Sequence, residues 1–358
     1  MTKKVRIGLF GGGGILGAHA PGFREAQDSA EVTAVAEPNP EQAERIRSLV
    51  GSTVRIYSGY EELLDDAPVD AVDILLPHDL HGPATEAAAK AGKHVLVEKV
   101  MARSVEECDR MIEACERAGV SLTVCHDRRY HAQWMALKQI VDSGVLGTIL
   151  TWKLDHNQDV SLPPGHWIRS RERLGGGAIM SCLTHQIDAL RWFDGEPTSV
   201  TCMTKSSAQR MEGEFAGTIL AQMKSGALAQ LSINWWTRCN KPVENCLWYE
   251  MVHVCGDRGE AYLMNNRGVF LQQYDSTETE WSAAYGAQIC EGFVQVKTGE
   301  WRGHERCIRE WIKSLRGEPA QITTTGYECR GTVEVAEAAC RSQETGKVVH
   351  LPVDRTRQ

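Results

Sequence analysis

Three features are missing from this 358-residue chain, and each absence removes a class of function. No run of roughly 18 apolar residues occurs, so no membrane-crossing helix is expected. No excess of basic residues exists: 39 Lys and Arg face 47 Asp and Glu, a net charge of -8, so neither nucleic acid nor an anionic membrane is an expected partner. The 12 cysteines include no C-x-x-C pair and no metal-ligand spacing. They read as small buried hydrophobes, and neither a disulfide scaffold nor any metal is expected. Internal repeats and low-complexity tracts are absent too. The opening "MTKKVRIGLFGGGG" holds an apolar run too short for a secretory signal, which makes the cytoplasm the expected compartment.

What is present suits two cores, because single cores stop growing near roughly 250 residues. As far as Tyr130, short runs such as "KKVRIGLFG", "EVTAVAE", "AVDILLP", "KHVLVEK" and "VSLTVCH" alternate with helical segments. Asn39 with Pro40, and Ser104, stand at helix starts. This alternation predicts a doubly wound parallel sheet covered on both faces.

In that setting the glycines acquire a mechanism. Gly12, Gly14 and Gly17 match G-x-G-x-x-G directly after a strand. The first permits a tight turn, the second lets backbone approach a pyrophosphate, and the third is expected to let helix and strand pack closely. Helix N-terminal amides then receive phosphate. Glu37 ends the second strand 37 − 17 = 20 residues later. An acid there accepts from the ribose hydroxyls and repels a 2′-phosphate, favouring NAD over NADP. Glu37 reads equally as a cap for the next helix, although Asn39 is also available for that.

Beyond Tyr130 the pattern changes to strands separated by glycines and polar turns, which predicts an open, predominantly antiparallel sheet. In "ALAQLSINWWTR" the period is two, with Leu231, Ile233 and Trp235 on one face and Gln230, Ser232, Asn234 and Trp236 on the other. Two helices follow near 302–316 and 326–343. "GGGAIMSCLTHQIDALRW" predicts a helix from about Ala178 that aligns Ser181, His185 and Asp188 on one face. His185 then reads either as a buried, hydrogen-bonded histidine or as a general acid-base. Arg169, Arg171, Arg173, Arg238 and Lys241 read either as a site for an anionic sugar or as a solvated charge run. Trp167, Trp235, Trp236 and Trp248 suit either stacking on a pyranose or core packing.

Together "GLFGGGGILG", "AVDILLPHDLHGPATEAAAKAGKHVLVEKV", "VCHDRRYH", "GGGAIMSCLTHQIDALRWFDG" and "AEAACRSQETGKVVHLPV" resemble the Gfo/Idh/MocA family along nearly the whole chain. The resemblance implies a Rossmann domain over 1–130 and an α+β substrate-binding and oligomerisation domain over 131–358, in a homodimer or homotetramer, with the nicotinamide between them. It implies that NAD is held by Gly12, Gly14, Ile15, Leu16, Gly17, Glu37, Leu76, Pro77, His81, Glu98, Lys99 and Asp127. It implies Lys99 and His185 as catalytic residues, and Lys99, Trp167, Arg169, Ser181, His185, Asp188, Trp236 and Arg238 as substrate contacts. Two positions depart from the family's pattern. Val100 replaces the proline of Glu-Lys-Pro, and Ser181 stands where polyol-oxidising members often carry an aspartate.

The expected reaction is hydride transfer between a sugar CHOH and NAD, with an anionic sugar or its glycoside among the candidate substrates. Two alternatives stay open at this stage. One is an NAD-dependent glycosidase that cleaves an anionic glycoside by transient oxidation, elimination, hydration and re-reduction. The other is a non-catalytic NAD-dependent sensor.

Overall fold

A computed structural model describes residues 4–237, 248–265, 267–274, 288–290 and 292–353. The chain forms two compact units, one of Met1–Tyr130 with Trp301–Val333 and the other of His131–Glu300 with Glu334–Gln358.

The first unit holds six parallel strands in the order β3-β2-β1-β4-β5-β6. They are β1 (Val5–Phe10), β2 (Ala30–Ala36), β3 (Arg55–Tyr57), β4 (Ala71–Ile74), β5 (His94–Glu98) and β6 (Leu122–Cys125). All four residues of β4 and of β6 are buried, as strands covered on both faces require. The connecting helices are α1 (Leu16–Glu25), α2 (Ala43–Val50), α3 (Tyr60–Asp66), α4 (His78–Lys90) and α5 (Val105–Ala118). Ser104 caps α5 by accepting from the Glu107 amide at 3.2 Å, and Gly119, at φ 66°, ends it.

One boundary differs from expectation. The helix Gly303–Leu315 belongs with the first unit, so a second domain does not run unbroken over 131–358. Its buried residues Cys307, Ile308, Trp311 and Ile312 join the core that holds Ile7, Leu9 and Phe23. It lies against α1 at Gly22, where an added Cβ would come within 3.0 Å of Ile308. Burying this apolar stripe outweighs sequence order.

In the second unit a ten-stranded sheet runs β14-β15-β13-β12-β11-β7-β10-β9-β8-β16. Its strands are β7 (Ile149–Gln158), β8 (Pro197–Ser206), β9 (Glu214–Met223), β10 (Leu228–Asn234), β11 (Trp248–Gly256), β12 (Gly259–Met264), β13 (Gly268–Gln273), β14 (Gln288–Cys290), β15 (Phe293–Val296) and β16 (Val349–His350). Only β7 and β10 pair in parallel; the other ladders are antiparallel. As the period of two predicts, Leu231, Ile233 and Trp235 are buried while Gln230 and Trp236 are exposed. Helices α6 (Ala132–Asp142), α7 (Arg171–Leu174) and α8 (Thr184–Asp194) belong to this unit, as do residues 334–345 of the helix Gly326–Thr345. Phe193 of α8 stacks between Trp152 of β7 and Trp134 of α6, with ring centroids 5.4 and 6.1 Å apart.

Candidate active site

In the first unit the loop after β1 lies next to β4, where the strand order reverses and open α/β sheets place their ligands. The Glu37 carboxylate accepts the Gly12 amide and the Asn39 amide, each at 2.9 Å. Asn39 itself caps the following turn through the Glu41 amide at 3.0 Å, so Glu37 is not the cap. A Cβ on Gly12 would clash with Ile46 at 2.4 Å, whereas Cβ atoms on Gly13, Gly14 and Gly17 would meet nothing within 4 Å. Close packing therefore falls to the first glycine of the motif, not to Gly17. The α1 N-terminus has no side-chain cap and no acid in its first turn. Its amides and the open cradle beside them suit a pyrophosphate. Arg45 on α2 anchors the loop by donating to the carbonyls of Gly12 at 2.7 Å and Gly13 at 3.2 Å.

Beside this loop lies a buried charged cluster. His19 sits between two carboxylates, its Nδ1 2.8 Å from Asp73 and its Nε2 2.8 Å from Glu98 Oε1. Burial opposes charge on His19, but Asp73 together with Cys125 carries its pKa well above that of a free imidazole. Burial likewise opposes the Glu98 charge, yet His19 and His304 hold this carboxyl well below the usual range. Asp73 is pushed up by burial, against the pull of His19, so Glu98 keeps its charge the more firmly. The second Glu98 oxygen accepts the Lys99 amide at 3.2 Å. The backbone of the expected catalytic lysine is thus tied to this network at the C-terminal end of β5. The Lys99–Val100 peptide is cis.

In the second unit Gly176 and Gly177 of "GGGAIMSC" lie close against protein backbone. A Cβ on Gly177 would lie 2.3 Å from the Glu214 carbonyl, and one on Gly213 would lie 2.3 Å from that of Gly176. The Glu214 carboxylate then accepts the Ile179 amide at 3.0 Å. Ile179–Leu183 form one wide π-turn ahead of α8. Ser181 thus lies within the π-turn, whereas His185 and Asp188 lie on α8. All three side chains are buried. His185 lies parallel to His156 of β7, ring centroids 6.1 Å apart. His156 Nδ1 is 3.0 Å from Glu250, which also accepts from Gln186 at 3.0 Å. Burial works against a charged His156, but Cys182 and Glu250 outweigh it and raise its pKa to about 9.

The family model for an oxidoreductase family with an NAD-binding Rossmann fold matches residues 5–126, and that for the GFO/IDH/MocA C-terminal domain matches residues 134–262. The chain belongs to the Gfo/Idh/MocA family. Its cofactor is NAD. It is 30% identical to an inositol 2-dehydrogenase of Streptomyces avermitilis over 97% of this chain and 94% of that protein. A myo-inositol 2-dehydrogenase of Thermotoga maritima is 29% identical over 97% of this chain and 98% of its own length. Among solved structures, the WlbA dehydrogenase of Bordetella pertussis in complex with NADH and UDP-GlcNAcA superposes with a TM-score of 0.80 at 26% identity, covering 98% of this chain and all of that one.

The residues expected to hold NAD stand at or after the C-terminal ends of β1, β2, β4, β5 and β6. Leu76 and Pro77 precede α4, and Asp127 follows β6. His81 is committed elsewhere: its buried ring lies 2.8 Å from the Leu76 carbonyl and 2.9 Å from that of Val100. Burial lowers its pKa, although both carbonyls oppose this. It joins the two loops as a positioning residue instead of offering a nitrogen to the cofactor. Arg169 donates to the carbonyls of Leu162 and Gln209, and Arg171 pairs with Glu344 at 2.8 Å. Trp236 carries the Arg210 guanidinium 4.0 Å above its ring, and Trp167 is half-buried. Arg238 and Lys241 lie outside the described residues. His19, Asp73, His304, Arg45, His156 and Glu250 went unpredicted, because isolated residues on separate elements leave no spacing to read.

Proposed function

We propose that the protein oxidises a secondary hydroxyl of a sugar or cyclic polyol with NAD. The observation that carries this reading is His185, a buried histidine parallel to a His156 held charged by Glu250, in a chain whose other unit is a dinucleotide-binding fold. The uncapped α1 amides, the glycine cradle and Glu37 fit NAD. The bound cofactor supplies the hydride acceptor.

His185 takes the hydroxyl proton, and the Lys99 ammonium stabilises the alkoxide oxygen. Ser181, lacking a carboxylate, orients a hydroxyl without removing its proton. The family names of the two inositol dehydrogenases and the ligand named with WlbA support a polyhydroxylated substrate. The bases that suggested an anionic sugar give that narrower reading less support, since Arg169 and Arg171 already hold protein partners. Neither the glycosidase nor the sensor reading gains a specific observation.

Exposed Met203, Leu220 and Leu228 on the open sheet face support a homo-oligomer, which sedimentation velocity would test. A panel of inositols, neutral sugars, uronates and their aryl glycosides, offered with NAD and with NADP, tests the reaction. Stoichiometric NADH from a free sugar or polyol is expected. Aglycone release without net NADH would replace the reading with the glycosidase, and no turnover of any compound would remove it.

A further inference from the structure

The cluster beneath Lys99 contains more than a salt bridge. His19 of α1, Glu98 of β5, Cys125 of β6 and His304 of the Gly303–Leu315 helix each bring one donor atom to a common point, and these four atoms lie within 4.8 Å of one another. Three of the side chains are buried and His304 is partly exposed. Both imidazoles are arranged alike. Nδ1 of His19 faces Asp73 at 2.8 Å and Nδ1 of His304 faces Asp127 at 3.6 Å, while the two Nε2 atoms converge on Glu98 Oε1 at 2.8 and 3.6 Å. A carboxylate on the far nitrogen of each histidine, with the near nitrogens, a carboxylate and a thiol meeting at one centre, is how proteins orient histidines toward a metal.

We propose that His19, Glu98, Cys125 and His304 form a binding site for a zinc-class divalent ion. The donor set of two imidazoles, one carboxylate and one thiolate matches the tetrahedral N, O, S preference of zinc. Tetrahedral coordination at about 2.1 Å for N and O and about 2.3 Å for S spaces these donors roughly 3.4–3.6 Å apart. The His19–Glu98 hydrogen bond must therefore open, and no other pair of donors needs to draw in by more than about an ångström. Asp73 and Asp127 keep their places as acceptors for the two Nδ1–H groups. On binding, the Cys125 thiol proton and the Nε2 proton of the His19 imidazolium both leave to solvent past His304, the exposed corner of the site. The ion is structural in this arrangement: it pins the carboxylate whose other oxygen holds the Lys99 amide. The donor geometry, not the proposed reaction, carries this site.

The test uses the full-length protein, dialysed against micromolar zinc and then against metal-free buffer, with metal counted by mass spectrometry. About one equivalent of zinc is expected in the wild type, and His304→Gln, at the exposed corner, should weaken retention at least tenfold. Cobalt in place of zinc should give the intense visible bands of a four-coordinate ion and a sulfur-to-metal band that Cys125→Ser removes. A His253→Gln variant, altering a histidine of the second unit paired with Glu260, should behave as wild type. Circular dichroism and NAD binding establish that each variant is folded. Wild-type protein retaining under about 0.1 equivalent, or zinc held equally by wild type, His304→Gln and Cys125→Ser, would overturn the site and leave His19 as an imidazolium between two carboxylates.

Discussion

Glu37 accepts the amide of Gly12 at 2.9 Å, linking the end of β2 to the glycine loop after β1. The link places an acid beside the loop that receives phosphates, with acceptor capacity remaining on both oxygens. Glu37→Ala should raise KM for NAD about tenfold or more, corresponding to the loss of roughly 1.4 kcal/mol. It should narrow the preference over NADP, because the carboxylate that repels a 2′-phosphate is gone. Steady-state kcat/KM with both cofactors measures this, and unchanged discrimination would remove Glu37 from cofactor selection.

The glycines divide into two groups with opposite expected outcomes. Gly14→Ala adds a methyl where nothing lies within 4 Å, so the melting temperature should hardly move while NAD affinity falls. Gly177→Ala drives a Cβ to 2.3 Å from the Glu214 backbone and should destabilise the fold by about 2 kcal/mol or more, with NAD affinity in the folded fraction intact. Differential scanning calorimetry and NAD titration on both variants separate the two effects.

Replacing Lys99 or His185 by alanine should lower kcat by about 10²–10⁴-fold, the usual range for loss of a positioned proton-transfer or charge-stabilising group. Binding of NAD, followed by NADH fluorescence, should change little for His185→Ala. Turnover within a few-fold of wild type in both variants would mean that the chemistry lies elsewhere.

The buried His156–Glu250 pair predicts a pH dependence of stability. A histidine whose pKa rises from 6.5 unfolded to about 9 folded stabilises the protein fully below pH 6.5, and this contribution is lost as pH rises through about 9. The shift corresponds to as much as ~3 kcal/mol. Urea unfolding at pH 6 and at pH 9.5 should show this loss, and Glu250→Gln should flatten it. A stability rising with pH in this window would contradict a charged His156.

The double winding of the first half was readable from the chain because strands buried on both faces must be continuously apolar, and their helices must start and stop at residues such as Ser104 and Gly119. The acid after β2 was legible for the same reason: its distance from the glycines is set by one helix and one strand. Gly17 was misread. The motif names three glycines, but only packing reveals that Gly12 is the one pressed against Ile46. The π-turn at Ile179–Leu183, where Glu214 takes the Ile179 amide, was not legible, because helical periodicity predicts a plain α-helix from about Ala178.

By itself, then, the order of residues determined the two fold types, the cofactor loop and the candidate lysine and histidine, all of which depend on neighbours within one or two elements. Only the tertiary structure decided that the helix Gly303–Leu315 returns to the first unit, and that its His304 joins His19, Glu98 and Cys125 from three other elements. Sequence spacing records local geometry. A site whose members are 79, 27 and 179 residues apart along the chain (19 to 98, 98 to 125, 125 to 304) comes into being only when burial of apolar surface closes those loops.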